Sequence, residues 1–304
     1  PIGNPLEYGF EYYAQYPALG FVFWPPLFHF IEGLFFLVLG FSLVVGRVCL
    51  ASYAVGVGSG LTAIAKPRMG AGWAGLSAGL ILTTPLLARL QNQMLLEIPA
   101  LAMMMLLVWL YLRMIERGGW QSWQEAALMA LAAAAALYTK QTTFFLPAAL
   151  AVHMSLVHPS LWRDWRSWLA GGLTVLLCLP LAWFTWKYGA ANLAQSVGNL
   201  GNIFVAGHRV APRWSWAGWT YYLRIAPEVL GIGYWLVAAG AVIYVVLRRT
   251  FWGRSLLWLV IIGVWYLVFS FFDNKQPRFA ALVLPFIILL SMEWLVELVR
   301  HRPG

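Results

Sequence analysis

Apolar residues in this chain come in long unbroken runs, and the polar residues collect in the joints between them. A helix needs about 20 residues to cross about 30 Å of hydrocarbon. For runs this apolar, a helix is also the spanning form whose backbone satisfies its own hydrogen bonds. Spanning helices are predicted at 43–65, 69–88, 94–115, 122–138, 142–158, 167–187, 228–247, 252–272 and 279–299. The faintest is 122–138, because the stretch Ala130 to Ala136 is only mildly apolar. Ahead of them, Pro25 to Phe41 is an apolar helix carrying His29 and Glu32, interfacial rather than spanning. The expected fold is an all-α integral membrane protein with about nine transmembrane helices plus interfacial helices. Its expected parts are an external loop and interfacial helix at 1–42, a six-helix module at 43–187, a second external loop at 188–227 and three C-terminal helices at 228–304.

Composition agrees with the pattern. The chain has 304 residues, 62% hydrophobic and only 10% charged, whereas soluble domains run at about 25% charged. That excludes a soluble globule. Mean hydropathy of +0.73 and 16% aromatic residues exclude intrinsic disorder. Cys49 and Cys178 lie inside apolar runs, so neither a disulfide framework nor a thiolate metal site is expected. The formal charge of +9 is scattered between runs rather than gathered on one patch, so no nucleic-acid partner is expected.

Lys and Arg divide between alternate joints. One set holds Lys66, Arg68, Arg113, Arg117, Arg163, Arg166, Arg248, Arg249, Arg254, Arg300 and Arg302. Their even doublets and triplet place these joints, and the C-terminus, on the cytoplasmic side. The other set holds Arg47, Arg89, Lys140, Lys187, Arg209, Arg213, Arg224, Lys275 and Arg278. Four of these sit in very short external joints, where bases should be scarce: Arg89, Lys140, Lys275 and Arg278. Acids accompany them, Glu97 just after Arg89 and Asp273 just before Lys275. Singly, each base is a snorkelling side chain reaching for lipid phosphates. Together, at the tips of three hairpins on one face, they suit an anionic headgroup.

The external segment RVAPRWSWAGWTYYLR, residues 209–224, interleaves bases with Trp and Tyr. It reads first as an aromatic belt at the interface and second as a surface for a lipid tail or a sugar ring. GVGSGLTAIAK, residues 56–66, looks like a phosphate loop but lies within a span, where small residues serve helix packing. No nucleotide-binding, serine-hydrolase or metalloprotease motif is present, and the five histidines are dispersed.

Four elements stand out in order: residues 16–40, where Pro25, Pro26 and Leu27 open an apolar helix; residues 87–113, with Glu97 at the mouth of a span; residues 137–150, with Thr139, Lys140 and Gln141 at a hairpin tip; and Asp273 to Phe286. This ordered set resembles the polyprenyl-phosphate-dependent glycosyltransferases of the C-type superfamily, in the branch of the protein O-mannosyltransferases and aminoarabinose transferases. Pro25, Pro26, Leu27 and Arg47 match its PPL helix and the Arg opening the next span. Glu97 stands where Asp is commoner, Thr139 and Lys140 match a T-K pair, and Lys275, Arg278, Phe279 and Pro285 approximate its K-x-x-R-F/Y-x-L-P run.

The resemblance implies inverting transfer of a sugar from a lipid phosphate to an acceptor lipid, glycan or protein. Catalysis is expected from Glu97, and donor-phosphate binding from Arg89, Lys140, Lys275 and Arg278. Glu7, Glu11, Arg47, Gln141 and Asp273 are further candidates. The donor is a polyprenyl-phosphate-linked sugar, and a divalent-cation requirement is left open. The expected location is a plasma (inner) membrane, bacterial, with the active face periplasmic or extracellular. In that family the base is an acid in the first external loop, after a first span; neither is visible here, so both are expected upstream of Pro1. On that expectation, residues 1–304 bind donor without turnover. The rival is a lipid-linked-sugar transporter, which should carry charges or broken helices near the bilayer midplane; the spans here are largely free of charge in their centres.

Overall fold

The computed structural model describes residues 25–93, 95–189, 204–205, 208–209, 212–247 and 252–300. Within them nearly all of the chain is helical. The helices are α1 (Pro26–Leu39), α2 (Leu43–Met69), α3 (Ala71–Thr83), α4 (Pro85–Gln91), α5 (Glu97–Glu116), α6 (Trp123–Thr139), α7 (Phe145–Val157) and α8 (Trp165–Tyr188). After a two-residue antiparallel ladder, Phe204–Val205 on His208–Arg209, come α9 (Trp216–Trp219), α10 (Tyr221–Leu230), α11 (Ile232–Leu247), α12 (Trp252–Phe271) and α13 (Leu284–Arg300). Tight 3-10 turns lead into α7 (Gln141–Phe144) and α13 (Pro277–Val283).

Local chemistry explains several of the ends. Pro26 opens α1 at its first position, where a missing N–H costs nothing. Ser42, Ser122 and Asp164 each accept a backbone N–H at the start of α2, α6 and α8, satisfying one orphan donor apiece. Gly70, at φ +87°, is the only residue between α2 and α3; without a Cβ it reverses the chain there at little cost.

Every expected span coincides with helix, but not every one is a plain crossing. Leu43–Met69, Glu97–Glu116, Trp165–Lys187 and Pro277–Arg300 are long and apolar enough to cross a membrane. The span expected at 69–88 is α3 plus α4, bent by 64° where Thr84 meets Pro85, because a proline disfavours helix at the residue before it. Gln141–Val157, Ile232–Leu247 and Ser255–Phe271 are shorter apolar helices, as is α1. A count of nine crossings is therefore not established by helix length, although the protein is a multi-pass membrane protein.

The helices pack with α5 near the centre. It lies against α2 and α6, α6 also packs on α8, α7 packs on α12, and α13 packs against α3, α11 and α12. The core is richest in aromatics beside the turn at 277–283: Phe145 meets Phe269 at 5.8 Å, and Phe269 meets Phe279 at 5.4 Å. Outward-facing side chains are apolar in the lipid zone; Leu37, Phe41, Val55, Trp168 and Val175 are all largely exposed.

Gly56 and Gly60 serve packing. An added Cβ would lie 3.3 Å from that of Ala102 at Gly56, and 2.7 Å from that of Met105 at Gly60. The α2–α5 approach leaves no room for a methyl at residue 60. Gly60→Val is expected to destabilise the protein by about 1–3 kcal/mol by overpacking. Thermal unfolding in detergent would show it, with Gly75→Val, where the space is open, as the control.

Candidate functional site

Glu97 is the first residue of α5, where the positive end of the helix dipole favours an acid. Lys140 ends α6: its backbone turns to φ −155°, ψ 118°, while its carbonyl accepts from the Thr143 N–H at 3.0 Å and starts the next turn. Helix packing brings the two together. Lys140 Nζ donates to Glu97 Oε1 at 2.5 Å, and Arg278 Nε, from the 277–283 turn, lies 3.8 Å from the same oxygen. The side chains are 1%, 12% and 36% exposed for Glu97, Lys140 and Arg278, so access grows from the carboxylate outward. The Phe279 ring lies under both cations, 5.8 Å from Lys140 Nζ and 5.6 Å from Arg278 Cζ.

Two cations around one carboxylate leave a surplus positive charge in a poorly hydrated place. Burial of Lys140 pulls its pKa below the usual lysine value, Glu97 pulls it back up, and Arg278 pushes it further down. An anion arriving beside Arg278 would relieve that repulsion. Glu97 Oε2 and Arg278 Nε are buried without a hydrogen-bond partner among the described residues. Buried polar atoms are seldom left so.

A second cluster sits in the joint between α12 and that turn. Asp273 accepts three hydrogen bonds from Arg213: from its backbone N–H at 2.9 Å, from Nε at 3.1 Å and from Nη2 at 2.5 Å. Burial raises the Asp273 pKa, but the Arg213 guanidinium and then Lys275 outweigh it and hold it below the usual carboxylate value. Lys275 Nζ donates to the Phe272 carbonyl at 2.6 Å. Burial drops its pKa to about 8, with Asp273 opposing and Arg213 assisting. This cluster also carries a surplus positive charge. Phe272 ties it to the first, packing 5.7 Å from Phe269 and 6.3 Å from Phe144 of the Lys140 hairpin.

Of the residues singled out in the sequence, the structure thus joins Glu97, Lys140 and Arg278, with Asp273 and Lys275 in the adjoining joint. It gives Arg89 different company: this side chain, near the end of α4, lies 3.7 Å from Glu228, with both largely exposed. Such surface pairs contribute little. Arg47 is exposed on the first turns of α2. Gln141 Nε2 donates to Thr185 Oγ1 at 2.9 Å and ties the hairpin to α8. Glu7 and Glu11 lie outside the described residues. Asp273 pairs with Arg213, 60 residues away, and not with its near neighbour Lys275. Sequence reading placed Arg213 in an aromatic belt; the only available signal was an Arg after Pro212 ahead of the Trp-rich run. Among the described residues no group of three metal-ligating side chains converges.

A family model described as dolichyl-phosphate-mannose-protein mannosyltransferase matches residues 24–186, just over half of the chain. No curated protein matches it. Among solved structures, ArnT from Cupriavidus metallidurans bound to undecaprenyl phosphate is similar, with a TM-score of 0.65 at 16% identity. The likeness covers 97% of this chain and 54% of that one, so this chain spans about half the length of ArnT. At that identity the likeness is one of fold.

Proposed function

Because this chain belongs to the dolichyl-phosphate-mannose-protein mannosyltransferase family, we propose that it transfers a sugar from a polyprenyl-phosphate donor to an acceptor hydroxyl at the outer face of the membrane. The observation that carries the proposal is the surplus positive charge where Lys140 and Arg278 share the single carboxylate of Glu97. The bound undecaprenyl phosphate of ArnT, whose fold this chain shares, supports a polyprenyl phosphate as the anion.

In this reading Arg278 and Lys140 hold the donor phosphate, with Lys275 beside them. The acceptor oxygen bonds to the sugar carbon as the bond from that carbon to the phosphate oxygen breaks, and the acceptor proton goes to the external acid that the family uses as base. Fixed cations stabilise the leaving phosphate, most strongly where water is excluded. Arg278, the most exposed of the three, offers a planar fork to two phosphate oxygens. The isoprenoid tail stays in the bilayer throughout. Arg89, paired on the surface with Glu228, drops out of the phosphate set. Glu97 takes a different role from the catalytic one expected of it. A carboxylate that is buried, bonded to Lys140 and close to Arg278 is poorly placed to reach an acceptor, and its charge orients both cations.

The test is donor binding against pH. Lys275 must be protonated to attract the phosphate, and its pKa is held at about 8, while a sugar phosphodiester stays anionic throughout. Affinity for a polyprenyl-phosphate-linked sugar should therefore be full below pH 8 and fall as pH rises through it. Bound donor raises the Lys275 pKa, so the midpoint should move upward at saturating donor. Calorimetry on the protein in nanodiscs would measure both. A flat profile between pH 7 and pH 9.5 would remove Lys275 from the site, and absence of any binding would sink the proposal.

A further inference from the structure

Arg213 lies outside the family's match to residues 24–186, yet it grips Asp273 with both its backbone and its side chain. Both carboxylate oxygens of Asp273 are engaged, one by the Arg213 backbone N–H and one by two guanidinium nitrogens. Both side chains are nearly buried, at 12% and 5% exposed. The guanidinium also lies over the Phe271 ring at 5.0 Å, and Trp214 packs edge-on against that ring at 5.8 Å. Behind this turn Tyr266 of α12 donates to the Trp219 carbonyl at 2.5 Å. The Trp-rich segment is thus bolted to the end of α12 and to the joint that follows. That joint carries Lys275 and leads directly into the turn bearing Arg278.

A carboxylate two residues before a lysine is that lysine's nearest competitor for a phosphate. Here the Lys275 N–H donates to the Asp273 carbonyl at 3.0 Å, while the Asp273 carboxylate is turned onto Arg213. Asp273 and Arg213 are charged groups whose fields reach Lys275, the first raising its pKa and the second lowering it. We propose that Arg213 is a positioning residue: it holds the Asp273 carboxylate away from Lys275 and keeps the 272–276 joint in place, so that Lys275 and Arg278 face the donor phosphate. This rests on the donor reading above. It assigns Arg213 no contact with donor or acceptor.

The experiment uses the intact protein in nanodiscs, with undecaprenyl phosphate as the probe. Arg213→Gln should weaken binding by about tenfold, the scale of one charge-assisted hydrogen-bond set, because Asp273 is released onto Lys275. The double variant Arg213→Gln/Asp273→Asn should recover most of that loss, which a merely structural role would not allow. A second readout needs no ligand. Pulse acetylation followed by mass spectrometry gives the titration midpoint of Lys275, about 8 in the parent. It should rise in Arg213→Gln, through loss of a neighbouring cation and gain of a carboxylate, and fall again in the double variant. Arg213→Lys, which keeps the charge but loses the fork, should hold the midpoint and recover binding only in part. An unmoved midpoint overturns the proposal whatever the binding shows. A raised midpoint with unchanged binding overturns the part that concerns the donor. Should the parent itself fail to bind the probe, the donor reading falls, and the midpoint alone decides whether Arg213 restrains Asp273.

Discussion

Lys140→Ala is expected to cost about 3–5 kcal/mol of stability, the usual result of removing one partner from a buried ion pair. The Glu97 carboxylate would stay 1% exposed with its nearest cation, Arg278, at 3.8 Å, beyond hydrogen-bond distance. Donor binding should be lost at the same time. The two effects can be separated with Glu97→Gln/Lys140→Met, which removes the pair together. That variant should regain most of the unfolding temperature, since replacing both members of a buried pair is often neutral. It should not regain polyprenyl-phosphate affinity, because the cation is gone. If Lys140→Ala unfolds at the parent temperature, Arg278 has closed onto Glu97, and the triad is looser than the structure shows.

Arg278→Gln should act in the opposite manner, with the chemistry failing while the fold survives. Arg278 is the most exposed member of the triad, so its truncation should leave the unfolding temperature within a degree or two. In protein that also carries the external acid expected as base, transfer from a polyprenyl-phosphate-linked sugar should fall on the order of 10²–10³-fold, as when one fixed donor is removed from a site of developing charge. Arg278→Lys should recover little of it, because a point charge cannot grip two phosphate oxygens as the planar fork does. A large drop in unfolding temperature with transfer intact would make Arg278 a structural partner of Glu97 and leave the leaving phosphate to Lys140 and Lys275.

How much of this was legible beforehand follows from the range of the forces involved. Hydropathy is a local property, so each apolar run became helix within a few residues of its expected bounds. The placement of Glu97, Lys140, Lys275 and Arg278 at span ends was equally local, since charges cannot sit comfortably within hydrocarbon. Even the packing role of Gly56 and Gly60 was readable, because small residues spaced along one apolar helix have little else to do.

Pairing was another matter. In sequence Asp273 stands just before Lys275 and Glu97 just after Arg89, yet the folded chain pairs Asp273 with Arg213 and Glu97 with Lys140. The bend at Thr84–Pro85 tilts α4 onto α10 and turns Arg89 toward Glu228, and no hydropathy window registers a change of direction. Glu97 could be a base or a counter-ion as far as its position along the chain went. Its burial beneath Lys140 and Arg278, which requires α5, α6 and the 277–283 turn to meet at one point, is what supports the counter-ion role proposed above. Spans and charged ends are written residue by residue, because water and lipid act on each segment alone. The choice of partner depends on how helices lean on one another, a sum of many weak contacts between segments far apart in the chain.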